Sequence, residues 1–321
     1  MNLLDSVEFV YSIDDNMLNL MNRIDKKLKR ISINDKQKRI NLITKSKVRS
    51  IHSSLSIEAN SLSLSDVERI FDKKTVLGKK DEVQEVKNAI ELYNQMNEYD
   101  YKSEEDLLKA HLIMMKGFED DNGIYRNHGE GIIRDGKIIC QAPDSILVPS
   151  LMKSLFNNLN NTDINKIVLA ALFHYYFVAI HPFTDGNGRM ARFWLSLMLS
   201  DYNSNFEFIP IEEEIYFNQE EYYKSIEKSH VNSNANEFIL FILITIDKTL
   251  EKIVKDNEFN LNEIQNKIIE LIKNDKNITQ NEIANILDKN VRTIKRNFKV
   301  LIDNDIVERI GSDKTGYWNL K

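Results

Sequence analysis

His181-Pro-Phe-Thr-Asp-Gly-Asn-Gly-Arg-Met-Ala-Arg192 is the stretch on which the reading of this chain turns. The run before it, 165–180, is nearly all apolar: Ile167, Val168, Leu169, Ala171, Leu172, Phe173, Tyr176, Phe177 and Ile180. Such a run is too greasy for a surface helix and predicts a central one. Pro182 ends it, because the ring disfavours helical geometry in the residue before. Gly186 and Gly188 permit a tight backbone path. From Arg189 a second apolar run begins, with Ala191, Phe193, Trp194, Leu195, Leu197, Met198 and Leu199, and predicts another core helix. The expectation is helix, nine-residue polar loop, helix. Such a loop ends on a helix N-terminus, where free N–H groups and the macrodipole favour an anion.

The residue types in the loop form a working set. His181 can take a proton near neutral pH. Asp185 is a hard carboxylate of the kind Mg²⁺ uses alongside phosphate oxygens. Asn187 and the glycine N–H groups can bind phosphate. Arg189 and Arg192, in the first turn of the second helix, can make forked contacts with phosphate. A base, a metal ligand, an anion cradle and two arginines point to attack by a hydroxyl on a nucleotide phosphate.

This segment resembles the signature of Fic-domain proteins, H-P-F-x-D/E-G-N-G/K-R followed by x-x-R, with every fixed position present. Most of that family move AMP from ATP to a hydroxyl of a target protein. The resemblance implies a protein adenylyltransferase, a nucleotidyltransferase that takes ATP as substrate and Mg²⁺ as cofactor. It implies His181 as general base, Asp185 as Mg²⁺ ligand and Phe183 as the core anchor of the loop. It puts Gly186, Asn187, Gly188, Arg189 and Arg192 on the nucleotide. The other reading is a glycine-rich connection between two core helices.

Ser53-Ser-Leu-Ser-Ile-Glu-Ala-Asn60 is similar to the inhibitory helix of regulated Fic proteins, S/T-x-x-x-E-G/N, and is expected over about 53–60. Ser54 and Glu58 match; Ala59 stands where Gly or Asn is usual, with Asn60 one position later. On this resemblance Glu58 pairs with Arg192, occupies the guanidinium that orients the γ-phosphate, and repels the triphosphate. The alternative is an ordinary surface or capping glutamate. Tyr222-Tyr223 matches a tyrosine pair that sits near the adenine in Fic proteins; either ring could instead be a core aromatic. Gly131-Ile-Ile133 and Lys137-Ile-Ile139 flank Arg134-Asp-Gly136, a hairpin signal. In Fic proteins this place holds a flap over the active site. Its edge, about 130–139, could pair with an extended target segment and bring a hydroxyl to His181.

Composition bounds the rest. With 321 residues the chain has room for two or three domains, and 42% hydrophobic content supports a real core. Only 10 Gly and 4 Pro favour long helices. A net charge of −6 confines any nucleic-acid role to a local patch. The lone Cys140 excludes an internal disulfide and a cysteine zinc site and fits a reducing compartment. The stretch from Met1 to Val10 has no apolar core of signal-peptide length, and no run is long enough to span a membrane. A cytoplasmic chain is expected. His52, His111, His128, His174 and His230 show no metal spacing, and His174 is expected as a hydrogen-bonded core histidine.

Around the motif the spacing predicts a helical hairpin over residues 1–50 and helices over 62–71, 81–99, 103–118, 150–158, 219–228 and 235–255. Residues 201–214, with Pro210, read as a loop. A polar boundary falls at 256–262. Beyond it come a helix over 263–272, a capping box at Thr279–Glu282 and a two-faced helix over 291–303. Residues 306–320 read as a two-stranded wing. The pattern resembles a winged helix-turn-helix. From Lys289 to Lys299 there are five basic residues and no acid. Arg292, Lys295, Arg296 and Lys299 form an outward face for DNA phosphate or for a protein partner. A homo-oligomer would strengthen half-site binding, but no residue demonstrates one.

The expected architecture is therefore mainly α. It comprises a helical N-terminal region over 1–100 carrying the inhibitory helix, a Fic-type core with a small β-hairpin flap over 101–255, and a winged helix domain over 256–321. The expected function is self-inhibited transfer of AMP to Tyr, Ser or Thr hydroxyls, the chain's own included. The alternatives are AMP removal or use of another nucleotide on the same loop, or a DNA-binding regulator whose Fic part senses nucleotide.

Overall fold

The computed structural model describes residues 6–31, 33, 35–118, 121–129, 131–134, 137–258, 263–303, 306–311 and 316–320. Among them are fourteen α-helices and two antiparallel two-stranded sheets, a mainly α architecture as expected. The helices are α1 (Asp15–Arg30), α2 (Lys36–Ile57), α3 (Leu64–Phe71), α4 (Lys80–Asn94) and α5 (Glu104–Met114). A hairpin of β1 (Gly131–Arg134) and β2 (Lys137–Gln141) follows. Then come α6 (Val148–Asn160), α7 (Lys166–Ile180), α8 (Asn187–Tyr202), α9 (Ile211–Phe217), α10 (Gln219–Val231) and α11 (Asn236–Glu258). The chain closes with α12 (Glu263–Asn274), α13 (Gln280–Ile286), α14 (Val291–Asp303), β3 (Val307–Ile310) and β4 (Tyr317–Leu320). It divides into two compact units, one of Met1–Asn22 with Asp35–Thr249, the other of Arg23–Asn34 with Leu250–Lys321.

In the first unit α7 is the axis. Every residue from Ile167 to Ile180 is buried, so no polar face exists. Burial of each large apolar side chain there contributes about 1.5–3 kcal/mol. α8 packs along α7 and buries Met190, Phe193, Trp194, Leu195 and Leu199. α6 and α5 flank this pair, while α2 packs on α4 and α9. Glu212 of α9, 1% exposed, joins the layers. Its Oε2 accepts from Ser50 (2.6 Å), and its Oε1 accepts from Tyr93 (3.0 Å) and Ser196 (2.7 Å). A buried carboxylate costs desolvation energy unless such donors meet it.

Three expectations need correction. The loop reading of 201–214 fails, because α9 begins at Ile211. Pro210 supplies the N-cap, and Glu212, Glu213 and Glu214 in the first turn favour the positive end of the dipole. The polar loop is shorter than nine residues, because α8 starts at Asn187. The helical hairpin over 1–50 is only partly found: α1 and α2 form, but residues 7–14 run outside regular structure. There Val7 N–H donates to Ser154 Oγ (3.0 Å), and Val10 N–H donates to the Tyr176 hydroxyl oxygen (2.8 Å). The β1–β2 hairpin pairs Gly131 with Gln141 and Arg134 with Lys137. The Asp-Gly signal at 135–136 lies outside the described residues.

The second unit builds its own core from Ile268, Ile272, Ile283, Ile294, Phe298, Leu301, Val307 and Trp318. The Trp318 and Phe298 rings meet at 4.4 Å, tilted by 36°, and Trp318 Nε1–H donates to Ile278 O (3.0 Å). Thr279 and Glu282 cap α13 reciprocally, as the sequence predicts. Part of the boundary at 256–262, residues 259–262, lies outside the described residues, and α11 runs on to Glu258. No described helix is long and apolar enough to cross a membrane.

Candidate active site

His181 ends α7 in the left-handed conformation, φ 53° and ψ 61°. A non-glycine residue there costs roughly 1–2 kcal/mol, so its surroundings must hold it. Arg126 does so. Its guanidinium is buried, with Nε donating to His181 O (2.7 Å) and Nη2 donating to Pro143 O (2.7 Å) and Ile180 O (3.3 Å). Nη1 donates to His128 O (2.7 Å), and the Arg126 N–H donates to Pro182 O (2.9 Å). The cation thus sits on the carbonyl end of α7, where the dipole favours it. It also ties the loop to the segment that enters β1. His181 itself is half-buried, with Nδ1 shielded from solvent.

Phe183 is fully buried and stacks on the His111 ring at 3.6 Å and 7°. Asn187 folds back on it: the side-chain oxygen accepts from Phe183 N–H (2.9 Å) and the amide donates to Phe183 O (2.7 Å). The amide oxygen and one of the two amide N–H groups are thus engaged on the loop. His111 holds the other end. Its Nδ1 accepts from Gly123 N–H (2.9 Å), and its Nε2 lies 3.0 Å from Asp185 O. A carbonyl can only accept, so Nε2 carries the proton. Burial, joined by the nearby Arg189 charge, holds the His111 pKa down to about 4. Gly186 has φ 80°, and a Cβ there would meet Met115 Sδ at 2.8 Å, so the turn admits no side chain.

Asp185 points outward, with its side chain 57% exposed. Its Oδ1 accepts from Gly186 N–H (2.6 Å), and its Oδ2 accepts from Arg189 Nη2 (2.5 Å). Burial alone would raise its pKa; the Arg189 guanidinium and the Gly186 N–H outweigh this and hold the carboxyl below its usual range. Arg189 Nη1 donates to Glu85 (3.0 Å), and its buried Nε has no hydrogen-bond partner among the described residues.

Arg192 is 1% exposed. Its Nη2 donates to Glu58 Oε1 (2.6 Å) and Ser54 O (2.9 Å), and its Nε donates to Ser54 Oγ (2.9 Å). Burial works against the charge, and the Glu58 carboxylate more than offsets it, raising the pKa. Glu58 thus meets the arginine expected for it, and Ser54, for which no partner was expected, meets the same arginine. A Cβ on Gly188 would collide with the Glu58 carboxylate. Ala59, just beyond, takes φ 67°, which is why Gly or Asn is the usual residue there. Tyr222 lies in the core, 2% exposed, its hydroxyl 2.9 Å from His174 Nε2. Tyr223 is half-buried and meets the Tyr222 ring at 5.1 Å. His174 is the expected core histidine; burial and the Arg192 charge hold its pKa down to about 3.

Likeness to known proteins agrees with this geometry. Residues 101–199 match the model of the Fic/DOC family, and residues 261–308 match a winged helix-turn-helix DNA-binding model. A solved Fic family protein from Desulfovibrio desulfuricans G20 is 30% identical, with a TM-score of 0.75 and 98% of each chain covered. The chain belongs to the Fic family. Among curated relatives of this Fic protein, a probable protein adenylyltransferase from Aquifex aeolicus is 31% identical over 153 residues, 46% of this chain and 45% of the relative. Protein adenylyltransferase fic-1 from Caenorhabditis elegans is 24% identical over 216 residues, 64% of this chain and 40% of the relative. The chain thus spans less than half the length of these two curated relatives.

Sequence reasoning missed Arg126, His111 and Glu85 as supports of this Fic loop. Each acts through backbone carbonyls, backbone N–H groups or distant side chains, and none has a local signal in the sequence. Among the described residues no group of His, Cys, Asp and Glu forms a metal cluster. A lone exposed carboxylate, Asp185, fits Mg²⁺, which is held by one or two carboxylates together with substrate phosphates.

On the second unit Arg292, Lys295, Arg296 and Lys299 are all exposed along α14. Asn290 caps that helix, its Oδ1 accepting from Arg292 N–H (2.8 Å). Ile294, Phe298 and Leu301 fill the opposite face.

Proposed function

We propose that this Fic protein transfers AMP from ATP to a protein hydroxyl, its own included, and that Glu58 restrains the reaction. The observation that carries the reading is the Glu58 carboxylate at the N-terminus of α8, against Gly188 and on Arg192. An anion from the chain occupies a place built for an anion. The family relatives named adenylyltransferase support the same reading.

His181 takes the proton of a Tyr, Ser or Thr hydroxyl, whose oxygen attacks the α-phosphorus. The bond from that phosphorus to the bridging oxygen breaks, and pyrophosphate leaves. Arg189, Arg192 and the N–H groups of Gly186, Asn187 and Gly188 hold the phosphates. Asp185 would hold Mg²⁺, which when bound neutralises phosphate charge. Tyr223, backed by Tyr222, faces the base. Phe183 anchors the loop, and the flap edge at about 130–139 receives the extended target segment. Residues 101–255 supply the catalytic core, and residues 1–100 supply its restraint. The test offers ATP, UTP, GTP and CTP in turn and reads the adduct by mass spectrometry. An AMP-sized increment with ATP, lost in His181→Ala, supports the reading; labelling from the γ-phosphate of ATP contradicts it.

The winged helix over 256–321 binds DNA in this reading. The exposed basic face of α14 supports it, and so does the likeness of 261–308 to DNA-binding winged helices. Substituting Arg292 and Arg296 by Ala should weaken DNA binding at all sequences and reduce the salt slope by about one unit per lost phosphate contact. An unchanged slope would point to a protein partner.

A further inference from the structure

We infer that Asn60 and Glu85 form a second arm of the restraint, acting on Arg189 as Glu58 acts on Arg192. This inference rests on the AMP-transfer reading of the site. α2 ends in a two-bond reversal: Ala59 N–H donates to Ser56 O (3.1 Å) and Asn60 N–H to Leu55 O (3.1 Å). The left-handed Ala59 lies between two side chains that leave in different directions. Glu58 goes to Arg192. Asn60 Nδ2 donates to Glu85 Oε2 (2.7 Å) and Glu82 O (3.1 Å), while Asn60 Oδ1 accepts from Leu62 N–H (3.1 Å).

The other oxygen of Glu85 accepts from Arg189 Nη1 at 3.0 Å. That pair is poorly solvated, with side chains 4% and 20% exposed, so it is screened less than a surface pair. Arg189 is thereby fixed between Glu85 and Asp185. While Asn60 fixes Glu85, Arg189 cannot turn to a phosphate, and Asp185 stays paired with it instead of open to a cation. One turn of backbone therefore holds both arginines of the motif. Release of either arm loosens the turn that carries the other, so the two arms are coupled.

Asn60→Asp isolates the arm. It keeps the oxygen that accepts from Leu62 N–H, so the turn can fold, but sets a carboxylate against Glu85. Glu85→Gln is the second variant, a neutral isostere that removes the ion pair. The full chain is incubated with α-labelled ATP, and self-labelling is compared among wild type, each variant, Glu58→Gly, and Asn60→Asp with Glu58→Gly. Each single arm variant is expected to rise about three- to tenfold over wild type. The double variant should exceed Glu58→Gly by less than the single effect of Asn60→Asp. In a His181→Ala background, Asn60→Asp should bind Mg–ATP more tightly by a similar factor, a readout that a merely structural role would not move. Wild-type labelling and wild-type ATP affinity in both arm variants would overturn the inference, as would fully multiplicative effects. If Glu58→Gly labels nothing, the AMP-transfer reading falls, and the ATP affinities still decide the arm.

Discussion

Glu58 Oε1 accepts a hydrogen bond from Arg192 Nη2 at 2.6 Å, although the two residues stand 134 positions apart. One side chain is 33% exposed and the other 1%. Losing one member of an ion pair whose other member is buried leaves an uncompensated charge, so the contact is costly to break. Its exposed member leaves a route by which a competing anion can replace it.

Removing Glu58 should destabilise the chain and make it respond more to nucleotide. Glu58→Gly leaves the buried Arg192 guanidinium without its carboxylate, and the melting temperature should fall by about 2–8 °C. Mg–ATP should then raise the melting temperature of the variant more than that of wild type, because phosphate replaces the lost carboxylate. Scanning fluorimetry with and without Mg–ATP reads both; equal shifts would speak against the exchange.

Ala59 holds a conformation that glycine adopts freely. Ala59→Gly should stabilise the chain by about 1 kcal/mol in urea unfolding, with an unchanged m-value. A firmer turn should also lower self-labelling. A loss of stability would mean that Ala59 is not strained.

Arg126→Met keeps the bulk of the side chain and removes the donors from the carbonyls of His128, Pro143, Ile180 and His181. It should cost about 3–5 kcal/mol of stability and abolish labelling even when Glu58 is Gly. A stable, active variant would refute the role given to Arg126.

His111 and His174 carry folded-state pKa values of about 4 and about 3, below the ordinary 6.5. The unfolded chain therefore binds more protons once pH falls below that ordinary value. The stabilising contribution is complete above about pH 6.5 and shrinks as pH falls towards 4 and then 3. Melting temperature should drop between pH 7.5 and 5.5, before most carboxylates titrate. His111→Asn should show a shallower drop; an identical slope would remove His111 from the explanation.

Much of this was legible in order. The apolar runs on both sides of His181 gave the two central helices because a helix buried all round needs no polar face. The Glu58–Arg192 pair was legible through the resemblance of residues 53–60 to an inhibitory helix, whereas the Ser54 contact with Arg192 was not. Asn187 was only half legible: its residue type suits phosphate, but the fold uses its side chain to close the loop on Phe183. Arg126 and His111 were illegible because a residue that serves backbone carbonyls leaves no pattern of its own. α9 was missed although Pro210 and three glutamates marked its start. Glu85 stayed hidden because its partners lie in α8 and at the end of α2.

The most direct test is incorporation from α-labelled ATP into the full chain, compared among wild type, Glu58→Gly, and Glu58→Gly combined with His181→Ala. Faint labelling in the first, strong labelling in the second and none in the third is the predicted result. Equal labelling of the first two would contradict the restraint by Glu58, and persistent labelling of the third would contradict the role of His181.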